Sequence, residues 1–319
     1  MIVIQPRLHK TYTDRKGRSD LTPDGTRALS VLTEDKAWFR MHIWEPATGK
    51  NLFRHPEQLD PKMLSLDDRH GRYVGWTRDR YYLPPGGAPP GDLSIIYEAF
   101  LWDAEQDHSV MLPQAEFDRV HRLGWWNEHL VTIANRTADV WTAQGERVGQ
   151  VPIVNGYATG FGSAENCALF FKDTITLVMP HVWQVYDTIT LPTRDIKGLT
   201  WSPDSKYWAM HSDEEEQCLL IIWDVAARAE HRVIRGTKLI CGAEWSPDST
   251  LIAVGDRVRE SDRRSHKFSG QDVVRIWDIA HDRQAALLEN LTGRLVSLEW
   301  GGEWLLVSTD QEVQVWHIG

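Results

Sequence analysis

The chain has 319 residues, 42% of them hydrophobic, and a formal net charge of −10, enough for one large closed domain or two ordinary ones. Its three cysteines, Cys167, Cys218 and Cys241, lack metal-ligand spacing, which argues against a disulfide framework and for a reducing compartment, expected to be the cytoplasm. No stretch of about 18 apolar residues could cross a membrane, the start (Met1-Ile-Val-Ile) is too short for a signal peptide, and the acidic balance argues against nucleic acid.

In chain order, residues 1–8 read as a lone strand, with Ile2, Val3 and Ile4 halted at Pro6. A first unit follows: Leu21-Thr-Pro-Asp-Gly, an apolar run at 28–32, and Met41-His-Ile-Trp44. This predicts strand, turn, strand, loop, strand, turn. The second unit opens at Leu64-Ser-Leu-Asp-Asp and closes on Trp102-Asp103. Between them, residues 82–92 are so rich in proline and glycine that they must leave the sheet as a loop. The third unit is compact and runs over 122–141. Its neighbouring Trp125 and Trp126 should point to opposite sides of a strand, one into the core and one exposed at the turn. The fourth unit is placed at 157–161, 168–171 and 181–187, closing on Tyr186-Asp187.

The fifth and sixth units are the clearest. Trp201-Ser-Pro-Asp-Ser leads to Trp223-Asp224, and Trp245-Ser-Pro-Asp-Ser leads to Trp277-Asp278. A densely charged insertion at 255–271 interrupts the sixth. The seventh runs over 296–316. The closing positions are thus Trp44, Trp102, Trp141, Tyr186, Trp223, Trp277 and Trp316, and the long gaps are those holding insertions. Sixteen tryptophans recurring at the ends of similar segments signal repetition.

A three- or four-stranded sheet cannot bury two apolar faces alone; radial stacking buries both and leaves few open edges. The sequence therefore predicts an all-β fold: a single seven-bladed propeller over residues 1–319, built of four-stranded antiparallel sheets. Trp223 and Trp277 should fill space between sheets, their indole NH groups seeking partners. The seventh unit lacks a fourth strand after its third. Residues 1–5 are expected to supply it and lock the ring, so deletion of residues 1–8 should destabilise the protein disproportionately.

The turns Thr22-Pro-Asp-Gly, Ser202-Pro-Asp and Ser246-Pro-Asp, with Trp102-Asp103, Trp223-Asp224 and Trp277-Asp278, make the chain resemble the WD40-repeat family of β-propellers. Trp44-Glu45, Tyr186-Asp187, Trp141-Thr142 and Trp316-His317 are weaker matches. The resemblance spans essentially the whole chain, although the family's Gly-His pair has no match and its buried His-Asp-Ser/Thr-Trp network is incomplete. It implies protein or peptide binding on the face formed by loops that enter the innermost strands and loops that join second to third strands. Both insertions are of the latter kind.

On that face, Arg15, Arg119, Arg194, Lys238 and Arg294 stand near the expected starts of innermost strands. They could form a basic rim suited to an acidic peptide or phosphate. Asp14, Asp118 and Asp195 beside them make mutual pairing the plainer expectation. His121 could face the channel mouth, Tyr81 and Tyr82 could offer an aromatic contact, and Arg263 and Arg264 lie in the second insertion. The acidic run at 214–217 belongs to the same face. No HExxH, Gly-x-Ser-x-Gly or glycine-rich phosphate loop appears, so no catalytic residue, metal or cofactor is expected. The expected function is non-catalytic protein binding or scaffolding through this face and the two insertions. The alternatives are a propeller hydrolase or lyase with residues converging from several blades, and a structural subunit of a larger assembly.

Overall fold

A computed structural model shows the arrangement of the chain. It describes residues 4–319 apart from 16, 36–37, 58, 60, 68–70, 83–93, 114–119, 127, 135–136, 153–166, 172–173, 180–181, 192–195, 214–217, 236–239 and 257–271.

Strand β1 (Arg7–Tyr12) precedes a first sheet of β2 (Asp20–Leu21), β3 (Ala28–Asp35), β4 (Trp38–Trp44) and β5 (Asn51–Arg54). The second sheet holds β6 (Met63–Leu66), β7 (Tyr73–Tyr82), β8 (Ser94–Asp103) and β9 (His108–Met111). The third holds β10 (Val120–Trp126), β11 (His129–Ala134), β12 (Thr137–Trp141) and β13 (Arg147–Pro152). Three strands make the fourth: β14 (Cys167–Phe171), β15 (Thr174–Met179) and β16 (Gln184–Thr190). The fifth is β17 (Ile196–Trp201), β18 (Tyr207–Asp213), β19 (Cys218–Asp224) and β20 (Ala229–Arg235). The sixth is β21 (Ile240–Trp245), β22 (Leu251–Asp256), β23 (Val273–Asp278) and β24 (Arg283–Leu288). The last joins β25 (Leu295–Gly301), β26 (Trp304–Thr309) and β27 (Val313–His317) to β1.

This is a β-propeller of small antiparallel sheets. Six complete blades are described where seven were expected. The fourth sheet has three strands, and residues 157–161, expected as its innermost strand, lie outside the described residues. Apolar clusters join each sheet to the next. Leu29 and Met41 of the first pack on Leu66 and Trp76 of the second, and Trp126 and Val131 of the third pack on Val178 of the fourth. Ile175 and Leu177 of the fourth pack on Trp208 and Met210 of the fifth. Leu306 and Val315 of the last pack on Leu21 and Trp44 of the first. Both faces of a sheet are thereby covered. That corrects the expectation for Trp126, which is as buried as Trp125: one faces the second sheet and the other the fourth.

The Ser-Pro-Asp signature works as a hydrogen-bond relay. Ser202 Oγ donates to Asp204 Oδ1 at 2.7 Å and accepts the Tyr207 N–H at 2.9 Å. Ser246 does the same with Asp248 at 2.6 Å and the Leu251 N–H at 2.9 Å. Each turn then passes through a left-handed residue, Ser205 or Ser249, both at φ 63°. Thr22, Asp24 and Gly25 repeat the pattern in the first sheet. In the Trp-Asp closures the carboxylate caps the next turn: Asp224 accepts the Ala227 N–H at 2.8 Å and Asp278 the His281 N–H at 3.1 Å.

Two assignments change. The closing strand is Arg7–Tyr12, not residues 1–5; it pairs antiparallel with β27, Leu8 opposite Trp316. Ile4 instead lies in the cluster between the sixth and last sheets. The fourth sheet does not close on Tyr186. A left-handed residue precedes the outer strand at Asp107, Arg228 and Asp282, four after Asp103, Asp224 and Asp278; Trp183 holds that place four after Met179. Val178-Met179 therefore stands where other sheets have Trp-Asp. Tyr186 lies on the exposed outer strand, and Asp187 forms an ion pair with Arg228 of the fifth sheet.

The tryptophan partners differ by sheet. Trp44 Nε1 donates to Ser30 Oγ at 3.0 Å and Trp141 Nε1 to Thr132 Oγ1 at 2.9 Å. Trp223 and Trp277 Nε1 find no hydrogen-bond partner among the described residues.

Candidate binding face

The loops between second and third strands and the starts of the innermost strands share one face. Strands β7 and β8 are the longest described and remain paired from Tyr73 with Asp103 to Tyr82 with Ser94. The tip of that hairpin and the corresponding ends of β22 and β23 are where the chain enters and leaves the two long second-to-third-strand connections.

Four innermost strands carry a bulge at the same place. Pairing shifts between Val120 and Arg122, Ile196 and Gly198, Ile240 and Gly242, and Leu295 and Ser297. An extra residue rotates the side chains around it, so the regular alternation of the innermost strand is broken near its start. Three residues before the first-turn positions Leu21 and Trp125 stand Arg18 and Arg122, two described cations of this face.

Arg18, Lys62, Arg78 and Arg122 line a cavity of about 280 Å³ with Met63, Thr77, Asp79, Tyr97, Glu98 and Val120. Glu98 is committed to Arg78, 2.5 Å away, whose guanidinium lies 4.7 Å from the Phe100 ring. Arg18 and Arg122 make no hydrogen bond or salt bridge to a described residue. The protein wall around Arg122 lowers its pKa, and the charge of Arg18 lowers it further. Two guanidiniums that face one space without a hydrogen bond or salt bridge to a described residue favour an anion between them.

A second cavity of about 350 Å³ lies alongside, lined by Gly17, Arg18, Val31, Phe39, Pro61, Lys62, Met63, Leu64 and Asp310. Beneath both, Asp20 ties the first sheet to the second. Its Oδ2 accepts the Leu66 N–H at 2.8 Å and the Ser65 hydroxyl at 3.0 Å. Burial raises its pKa, and these hydrogen bonds and Arg18 only partly offset that.

Of the residues expected on the rim, Arg15 is not available. It is 3% exposed, with its guanidinium carbon 4.4 Å from the ring centres of both Tyr12 and Trp44 and Nη2 donating to Asn51 Oδ1 at 2.8 Å. Its burial, opposed by Asp14 and Tyr12, lowers its pKa. Arg294 is exposed before β25, and its amide donates to Asp310 Oδ1 at 2.8 Å. His121 is the extra residue of the β10 bulge, and Tyr81 and Tyr82 end β7. Arg119, Arg194, Lys238, Arg263 and Arg264, with the acidic run 214–217, lie outside the described residues. Sequence reasoning missed Arg18, Lys62 and Arg122.

No protein-family model matches the chain, and no curated protein does.

The site is read from its own chemistry. Among the described residues no group of three or more His, Cys, Asp and Glu is placed to hold a metal ion, and no helix is long and apolar enough to cross a membrane. The face offers fixed positive charge, an apolar wall and two hollows of side-chain size.

Proposed function

We propose that this protein is a seven-bladed, WD40-type propeller that acts as a non-catalytic platform, binding a protein or peptide over the face that carries the two insertions. Supporting seven blades, the three-stranded fourth sheet packs on both its neighbours through Val178 on one side and Ile175 and Leu177 on the other. The observation that carries the binding reading is the pair Arg18 and Arg122, lining one cavity without a salt bridge among the described residues. Ordinary surface arginines on a chain of charge −10 have abundant carboxylates to pair with. Guanidiniums that form no salt bridge in spite of them are suited to a ligand that supplies its own carboxylate.

The test is co-purification from the source organism's extract with three forms: wild type, a variant with 84–92 and 258–270 shortened to Gly-Ser turns, and Arg18→Glu/Arg122→Glu. Melting curves verify that each is folded. A partner held by wild type and lost by the charge-reversed form supports the platform. A partner retained by all three forms moves the interface to another surface and overturns this assignment.

A further inference from the structure

Resting on the platform reading, we infer that the ligand is an extended peptide segment carrying an acidic side chain and, two residues away, a bulky apolar one.

The two cavities share Arg18, Lys62 and Met63 as a common wall, so they are adjacent chambers of one surface with different chemistry. In the first, four cations face two carboxylates, and one of those, Glu98, is already bound to Arg78. That chamber carries a local positive excess on a chain whose net charge is −10. Long-range steering of an anion toward this protein is therefore poor, and the attraction acts at contact distance. A volume of about 280 Å³ lies just below the roughly 300–1,000 Å³ of cofactor and drug sites. It accepts a side chain and its carboxylate with room for solvent.

The second chamber offers Val31, Phe39, Pro61 and Leu64. Its carboxylate, Asp310, accepts hydrogen bonds from the Arg294 amide at 2.8 Å and lies at the rim of the last sheet. An apolar side chain packed on those four residues gains transfer energy, while Arg18 on the shared wall stays turned to the acidic group in the first chamber. Side chains i and i+2 of an extended strand leave the same face about 7 Å apart. Because the chambers share a wall, side chains on one face of an extended segment can enter both, whereas immediate neighbours point to opposite sides.

The test uses fluorescently labelled nonapeptides in anisotropy titrations: a Glu-Ser-Leu core flanked by Gly-Ser repeats, and analogues with Gln for Glu or Ser for Leu. Wild type should bind the parent at least ~10-fold more tightly than either analogue, the scale of one charge-assisted hydrogen bond. Arg122→Gln should erase the Glu over Gln preference and keep Leu over Ser; Phe39→Ser should do the reverse. Added salt should compress only the first preference, an outcome that does not depend on any variant folding. Equal binding of Glu and Gln peptides, or preferences untouched by Arg122→Gln, overturns the inference. A random 12-residue library separates the two readings. Binders of another pattern that are lost in Arg18→Ala overturn the acidic–apolar assignment alone, whereas no binders at all overturn the platform as well.

Discussion

Gly25 and Gly301 meet backbone to backbone where the first and last sheets join. A β-carbon on Gly301 would lie 2.0 Å from the Thr22 carbonyl oxygen, and one on Gly25 would lie 2.3 Å from that of Gly301. The Gly302 N–H also donates to the Pro23 carbonyl at 2.7 Å, so neither turn can withdraw without losing a bond. Gly301→Ala should cost about 1–3 kcal/mol by forced displacement of backbone. Gly25→Ala should cost more, because its φ of 73° is left-handed and adds strain. Urea unfolding curves measure both. Peptide binding by the folded fraction should be unchanged, since this turn lies on the opposite face.

Arg15 separates stability from recognition. The Arg15 guanidinium lies against the corner made by the edge-to-face rings of Tyr12 and Trp44, and a lysine ammonium reproduces neither those two contacts nor the bond to Asn51. Arg15→Lys should lower the melting temperature while leaving peptide affinity intact. A variant of normal stability and weakened binding would return Arg15 to the ligand face.

The relay turns predict an acid-labile fold. At Asp204 burial opposes the charge, but Lys206, the Ser202 hydroxyl and the Lys206 N–H together hold the pKa below the usual carboxylate value of 3.8. At Asp248 burial is likewise outweighed, here by Ser246 and Thr250. A folded value below the unfolded one gives stability that is fully present above 3.8 and is lost as pH falls through the lowered value. Asp204→Asn/Asp248→Asn should therefore be less stable than wild type at pH 7 and should lose less additional stability on acidification below pH 3.8. Circular dichroism during acid titration reads the difference. Ser246→Ala should cost about 1–3 kcal/mol at neutral pH, since the Leu251 N–H is buried and loses an acceptor.

Deleting residues 1–12 should remove the outer strand of the last sheet and uncover the edge of β27. The expected outcome is a large loss of cooperativity in thermal unfolding, with concentration-dependent association through the open edge. Deleting residues 1–5 alone should cost far less, chiefly the packing of Ile4. A synthetic peptide spanning 4–15 should restore the melting transition of the longer deletion. Failure of that peptide to act at any concentration would count against strand pairing as the lock.

The parts of the fold that could be read in advance were those whose turns announce themselves chemically. Ser202 and Ser246 each sit before Pro-Asp because the relay needs a hydroxyl, a fixed φ and a carboxylate in that order. The fourth sheet hid its closure because Val178-Met179 lacks both indole and carboxylate, while Tyr186-Asp187 imitates them on the outer strand. The strand β1 was missed because five of its six residues are exposed; an outer edge strand needs no apolar alternation, and the apolar Ile2-Val3-Ile4 drew attention away. The site was half legible. A basic face was expected; Arg15 is taken into the core between the first and last sheets, while Arg18 and Arg122 were passed over, because neither stands out from other surface cations until the fold brings them to one cavity.

The pairing of Leu8 with Trp316 also has consequences for synthesis. β27 leaves the ribosome only after the twenty-five described strands between it and β1, so the first strand must wait without its partner while all of them are made. Its exposed, charged composition (Arg7, His9 and Lys10) keeps it from pairing with a neighbouring nascent chain in the meantime. Closure is then a late, long-range step, of the kind that sets slow folding in β proteins. Drugs or codon changes that alter elongation speed should change the yield of soluble protein more than its final stability.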